Sequence, residues 1–308
     1  MNDVEKRIAQ LSPERRQLLD RLAKTHAPSP VRESSSSTDP PRFDYGPVES
    51  ATARKLENRK FYNAVSQQLN ATEFGKHAYF LNFGYVADGS PECSVVALAP
   101  RVLNRNCVKL VLETIGACPI AGRNVLDVGC GRGGTIWVLN RFFTPQASTG
   151  VDLSPQAVAF CRATHRFANA HFFDGDAETL AFDAESFDVV TNVESSHSYP
   201  DIEAFYREMF RLLKPGGHFL YTDLLDVGIF DSNRAFLQSV GLQMEHERDI
   251  TRNVLLSCDE TARVHQGAFR PDNDRLIADN FLGVPGSRVY ESMRTGSSAY
   301  RIYRFRKS

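Results

Sequence analysis

From residue 124 onward the sequence predicts an α/β fold, a parallel sheet with helices on both faces. Three observations carry this. Short apolar segments alternate with amphipathic ones, as strand–helix–strand units do. The first apolar segment runs into a glycine-rich turn, Asp127-Val128-Gly129-Cys130-Gly131-Arg132-Gly133-Gly134, of the kind that bends a strand sharply into a helix. Acids then recur at the carboxyl ends of successive strands, at Asp127, Asp152 and Asp176, where open sheets of this class bind ligands.

In chain order, residues 4–24 carry Ile8, Leu11, Leu18, Leu19 and Leu22 at roughly helical spacing among charges, with Ser12-Pro13-Glu14 as a helix start. Residues 28–49 are a linker rich in proline and serine, including Ser34-Ser35-Ser36-Ser37 and Pro40-Pro41. Residues 50–116 read as mainly helical, with aromatic clusters at Phe61-Tyr62 and in FLNFGY at 80–85. The core follows over 117–308, with strands predicted at 125–128, 149–153, 170–173, 187–193, 218–224, 243–248 and 300–306. Ser154-Pro155 caps a helix to about residue 165. A second helix covers 202–213 and stops at Lys214-Pro215-Gly216-Gly217, and a third covers 232–240. The stretch between the last two strands is too long for a hairpin loop and is expected to form a lid over about 250–298.

Composition narrows the function classes. Lys plus Arg number 36 and Asp plus Glu 37, for a net charge of -1, which argues against a nucleic-acid partner. No apolar run is long enough to cross a bilayer and no signal segment opens the chain, so the expectation is a cytoplasmic protein without a membrane partner. The six cysteines form no CxxC pair and signal neither zinc nor a disulfide framework.

A glycine run of this kind serves NAD, FAD or S-adenosylmethionine alike, and the acids decide between them. Asp127 within the first strand would repel a pyrophosphate but suits a ligand with an amino group and a sulfonium. Asp152 can accept from both ribose hydroxyls, a role that also fits NAD. Asp176 followed by the small Ala177 can accept from an adenine amino group and leave room for the ring. Each acid alone is an ordinary cap or turn residue; the ordered set points to S-adenosylmethionine.

The motifs LDVGCGRGG, GVDLSPQAVAFCR, GDAETLAFDAESFDVV and RLLKPGGHFLYTD resemble those of the class I S-adenosylmethionine-dependent methyltransferases. FYNAVSQQLN, FLNFGYV, NVESSHSYPD, NVLLSCDE and NFLGVPGSRVY resemble the O-methyltransferases of bacterial polyketide and mixed polyketide–nonribosomal peptide synthases. The resemblance implies a Rossmann-like sheet of seven strands with the last antiparallel, a helical N-terminal lid at 50–116, and contacts from Asp127, Gly129, Cys130, Gly131, Asp152, Leu153, Asp176, Ala177 and Asn192 to S-adenosyl-L-methionine, with S-adenosyl-L-homocysteine as product. Residues 1–27 are similar to segments that precede catalytic domains in such megasynthases, so a linker or docking helix and neighbouring domains are implied. The implied acceptor is a polyketide hydroxyl, on an acyl carrier protein or free, in secondary-metabolite biosynthesis.

A hydroxyl acceptor needs a base. His197, just past the fourth strand, is the candidate, and Glu194, Asp259 and Glu260 are the candidates to orient it, with Glu194 and Glu260 preferred. Tyr62, Phe83, Tyr85 and Tyr199 are candidates to line the acceptor pocket. Asp223 is considered only as a metal ligand, and no compact oxygen cluster accompanies it, so no metal is expected. The alternatives are a C-methyltransferase on a β-keto intermediate, a methyltransferase acting on a released product, a non-catalytic fold relative and an NAD-dependent reductase.

Overall fold

The computed structural model describes residues 50–71, 75–99, 101–265 and 283–308. The helix expected at 4–24, the linker at 28–49 and the middle of the expected insertion lie outside the described residues.

The described residues form a seven-stranded sheet in the order β3-β2-β1-β4-β5-β7-β6. Its strands are β1 (Asn124–Val128), β2 (Ala147–Asp152), β3 (Ala170–Asp174), β4 (Phe187–Val193), β5 (Leu213–Asp226), β6 (Leu242–Asp249) and β7 (Ser298–Lys307). The first five run parallel, and β7 pairs antiparallel with both β5 and β6. This is the Rossmann-like sheet with an antiparallel last strand that the sequence implies.

Eight helices accompany it among the described residues: α1 (Ala51–Asn70), α2 (Arg105–Ile115), α3 (Gly134–Phe142), α4 (Pro155–Thr164), α5 (Ile202–Leu212), α6 (Phe230–Ser239), α7 (Thr251–His265) and α8 (Arg288–Thr295). Side-chain caps set several starts. Ser154 Oγ accepts from Ala157 N with Pro155 in the first turn, and Asp201 Oδ1 accepts from Ala204 N. Residues 78–99, expected to be helical, contain no helix or strand. That stretch is anchored instead by the buried Glu113, which accepts from Cys93 N at 2.7 Å and pairs with Arg248 at 3.0 Å.

Strand alternation builds a core on each face of the sheet. Leu126, Val128, Val190, Phe219 and Tyr221 pack with Phe205, Tyr206 and Met209 of α5 on one side. Val125, Val189 and Leu220 pack with α2, α3 and α4 on the other. A third cluster joins Tyr300 and Ile302 of β7 to Ile250, Val254, Val289 and Met293 around α7 and α8.

One boundary differs from the sequence expectation. The Lys214-Pro215-Gly216-Gly217 segment does not separate α5 from the fifth strand. Leu213 already pairs with Phe187, and the register resumes at Val189 and His218 with the intervening residues bulged out. Gly216 adopts φ +75°, and a Cβ on Gly217 would lie 2.9 Å from the Asp188 carbonyl. Glycines therefore permit the bulge rather than end the strand.

Candidate active site

The glycine turn follows β1 at the carboxyl edge of the sheet. Gly129 has φ +70°, and a Cβ there would sit 2.3 Å from Ser195 Oγ and 2.6 Å from the Tyr199 hydroxyl, so only glycine fits. Gly131 N donates to Asp152 Oδ2, and Ser154 N donates to Asp152 Oδ1, each at 2.8 Å. Burial raises the pKa of Asp152 against these two amides. Leu153 is half-buried beside it. Cys130, within the turn, is buried; its hydrogen bond with Cys161, and then burial, hold its thiol well above the ordinary range. At the end of β3, Asp176 pairs with Lys55 Nζ at 2.7 Å and Ala177 is buried.

Among the described residues, two buried acceptors at the ends of neighbouring strands lack a well-formed hydrogen bond. Asp127 Oδ1 accepts from Thr191 Oγ1 at 2.7 Å, but nothing reaches Oδ2 in hydrogen-bond geometry. Burial pushes its pKa to about 7, with the Thr191 and Thr135 hydroxyls opposing. Asn192 Nδ2 donates to Val128 O at 2.9 Å and to Ser195 Oγ at 2.7 Å, and Oδ1 is likewise unpartnered. Orphaned buried acceptors are costly. A pair of them fits a cationic ligand group, and the amino group of S-adenosylmethionine is one.

His197 lies in a short 3-10 turn, Ser196–Ser198, that follows β4. Its Nδ1 is 2.7 Å from Asp223 Oδ1 on β5. The carboxylate can only accept, so Nδ1 carries a proton, and in the neutral ring Nε2 carries the lone pair. Asp223 is buried and both oxygens are fully used: Oδ1 also accepts from Leu224 N at 2.8 Å, and Oδ2 accepts from Ser196 Oγ at 2.6 Å and His197 N at 3.0 Å. The His197 side chain keeps 26% of its surface exposed. Burial acts to lower its pKa, but the charge and hydrogen bond of Asp223, with Glu194, outweigh it and raise the value.

The carboxylate on His197 is therefore neither Glu194 nor Glu260. Glu194, at φ +53°, turns the other way, accepting from Phe83 N at 2.9 Å and the Tyr300 hydroxyl at 2.5 Å. Burial pushes it to about 8 against those two bonds. Glu260 is exposed and accepts from Asn106 Nδ2 at 3.1 Å, and Asp259 accepts from the Tyr290 hydroxyl at 2.9 Å. The available signal for Asp223 is a lone acid in an otherwise apolar strand, FLYTDLL, since a buried charge requires a partner. Among the described residues no group of three or more His, Cys, Asp or Glu is arranged to hold a metal. Tyr85, expected to line a pocket, is fully buried with its hydroxyl 3.1 Å from Arg248 Nη2. Tyr62 and Tyr199 do reach the site, bonded to Ser198 Oγ at 3.0 Å and Ser195 Oγ at 2.9 Å.

Sequence reasoning misses two further features. Arg132, inside the glycine turn, is fully buried, and among the described residues it has no carboxylate partner. Its fork donates to Ala78 O at 2.7 Å, Gly75 O at 2.8 Å and Asn70 Oδ1 at 2.9 Å, and it lies over the Phe160 ring. The other is α1. Beyond the bond from Tyr62, it reaches the end of β3 through Lys55, the His197 turn through Asn58, and the α4 cap through Asn63, whose Oδ1 accepts from Ser154 Oγ at 2.6 Å. Thus α1 and the segment after it touch all four strand-end loops that carry the site.

Comparison with known proteins agrees with this architecture. A family described as a methyltransferase domain matches residues 126–221. The chain is 36% identical over 229 residues to a fatty-acid O-methyltransferase of Mycolicibacterium smegmatis, covering 74% of this chain and 83% of that protein. It is 34% identical over 265 residues to a phthiotriol/phenolphthiotriol dimycocerosates methyltransferase of Mycobacterium tuberculosis, covering 84% and 94%. The crystal structure of a geranyl diphosphate C-methyltransferase from Streptomyces coelicolor, in complex with Mg2+, geranyl diphosphate and S-adenosyl-L-homocysteine, superposes with a TM-score of 0.61 at 18% identity, over 83% and 98% of the two chains; that likeness concerns the fold alone. The chain belongs to the class I S-adenosylmethionine-dependent methyltransferases. It is an enzyme of that class, and its methyl donor is S-adenosyl-L-methionine. No described helix is long and apolar enough to cross a membrane.

Proposed function

We infer that this methyltransferase acts on an oxygen atom of a polyketide or fatty-acyl chain, with His197 as general base and Asp223 as its orienting carboxylate. The observation that carries this reading is the 2.7 Å contact between His197 Nδ1 and the buried Asp223 Oδ1 at the ends of β4 and β5. Two relatives named for lipid substrates, one of them a fatty-acid O-methyltransferase, support the acceptor class.

Asp127 Oδ2 and Asn192 Oδ1 would receive the donor's amino group, Asp152 its ribose hydroxyls, and Asp176 beside Ala177 its adenine. Gly129 and Gly131 let the backbone approach the bound donor, with Cys130 and Leu153 completing the walls. Bound S-adenosylmethionine supplies a methyl group already activated on a sulfonium. The protein's task is then alignment of the acceptor and removal of its proton. His197 Nε2 takes that proton, and the buried Asp223 stabilises the imidazolium that results.

The acceptor is proposed to arrive on an acyl carrier protein. The test is incubation with S-adenosylmethionine, a chelator and a β-hydroxyacyl carrier protein, followed by the intact mass of the carrier. A gain of one methyl, abolished in His197→Ala, is the expected result. No gain from the carrier but methylation of the free acid or alcohol would reject tethering. Product bearing the methyl on carbon would reject oxygen as the target.

A second reading is favoured by the raised pKa of His197. Its cationic form suits a carboxylate acceptor, which needs no base. The two readings give opposite pH dependence.

A further inference from the structure

The base turn is held from two sides. Asp223 holds it from the sheet, accepting from His197 N at 3.0 Å and bonding Nδ1 at 2.7 Å. From above, the buried Asn58 donates from Nδ2 to Ser198 O at 2.6 Å, and the Tyr62 hydroxyl bonds Ser198 Oγ at 3.0 Å. Ser198 directly follows His197. One turn before Asn58 on the same helix, Lys55 bridges Asp176 at 2.7 Å and Glu178, the two acids after β3. Residues 55, 58 and 62 stand at spacings of three and four, so they share one face of α1.

A rigid helix that touches two loops on one face links their positions. Asp176 belongs to the loop assigned to the donor's adenine, and Ser198 to the loop carrying the base. We propose that α1 couples the two halves of the site: Lys55 registers the cofactor loop, Asn58 and Tyr62 are positioning residues for His197, and donor binding and base alignment therefore reinforce one another through this helix. The inference rests on the role assigned to His197 above only for its kinetic arm. Its binding arm needs neither an acceptor nor a base.

Coupling of this kind is reciprocal in binding free energy, so the signature is a cross-effect. In Asn58→Ala, affinity for S-adenosyl-L-homocysteine measured by titration calorimetry falls about fivefold, although Asn58 bonds only the base turn. In Lys55→Gln, the pH midpoint of the methylation rate moves toward acid, although Lys55 bonds only the β3 loop, because a loosened turn weakens the His197–Asp223 pair. The double variant loses less affinity than the product of the two single losses. Tyr62→Phe deletes one hydroxyl and keeps the packing, so it carries the same test should Asn58→Ala fail to fold; it shifts the binding constant in the same direction by a smaller factor. Unchanged S-adenosyl-L-homocysteine affinity in both Asn58→Ala and Tyr62→Phe, or losses that simply multiply in the double variant, would overturn the proposal. If His197→Ala keeps the full methylation rate, the base assignment fails, while the calorimetric cross-effect still decides the coupling.

Discussion

Asp223→Asn is the sharpest perturbation of the site. In the parent, Asp223 accepts four hydrogen bonds, two at each oxygen: His197 Nδ1 and Leu224 N at Oδ1, Ser196 Oγ and His197 N at Oδ2. Asparagine presents one oxygen and one NH2. Either rotamer sets the NH2 against a pair of groups that now donate. If it faces Nδ1, the imidazole must move its proton to Nε2 to accept from it, which removes the lone pair from the nitrogen proposed to take the acceptor's proton. If it faces Oδ2's partners, the backbone N–H of His197 is left buried and unpaired. Each such loss costs about 1–3 kcal/mol. The rate loss for a removed or misdirected general base is about 10²- to 10⁴-fold. The pH dependence has a definite sign. Burial acts to lower the His197 pKa, and Asp223 with Glu194 raises it above the ordinary value. A base works when neutral, so the parent rate climbs with pH through that raised value. Without the Asp223 charge, the midpoint of the residual activity moves to lower pH. The assay is kcat against pH, from about 5.5 to 9, with both substrates saturating and S-adenosylhomocysteine affinity measured in parallel. A variant within threefold of the parent at every pH, or one with an unmoved midpoint, would refute the dyad. A parent rate that falls across the same range would instead select the carboxylate-acceptor reading.

Three further outcomes are expected. Asp127 is held near pKa 7 by burial, above its ordinary value near 3.8, so it costs apo-protein stability as pH rises from about 4 to 7; the melting temperature gained on adding S-adenosylhomocysteine should therefore grow over that interval in the parent and stay flat in Asp127→Asn. Glu194, held near pKa 8 by burial, is largely neutral below that value, so Glu194→Gln leaves the rate profile close to the parent's at acid and neutral pH, with kcat within about tenfold, a far smaller loss than in Asp223→Asn; equal losses would restore Glu194 as the orienting group. Arg132→Lys cannot reproduce a fork that spans Ala78 O, Gly75 O and Asn70 Oδ1 and should cost about 3 kcal/mol, read as a lower melting temperature; an unchanged melt would show that the fork does not hold the segment after α1 to the glycine turn.

Local pattern alone carries much of this protein. The strand at 187–193 and the Ser154-Pro155 helix start are legible because strand alternation, capping and the proline preference act within a few residues. The glycine turn and its three acids are legible because the ligand rule for open sheets depends on the order of elements along the chain. The bulged start of β5 is not, since Lys214-Pro215-Gly216-Gly217 satisfies the local rule for a helix stop, and only pairing of Leu213 with Phe187 reveals the strand.

The candidate base could be named from its place after β4, but not the carboxylate it meets. Asp223 is 26 residues from His197 and meets it because β4 and β5 run parallel in one register, with Val193 opposite Thr222. Glu194 is three residues away in sequence, yet its left-handed backbone turns it toward Phe83 and Tyr300. Asn58 lies 140 residues from Ser198, and nothing in a helical repeat says which loop that face will cover. Sequence by itself determined the fold class and the donor, because those are carried by short-range periodicity, by motifs and by chain order. Tertiary structure decided which charges meet, because that depends on strand register and helix docking, in which a shift of one residue sends a side chain to the opposite face.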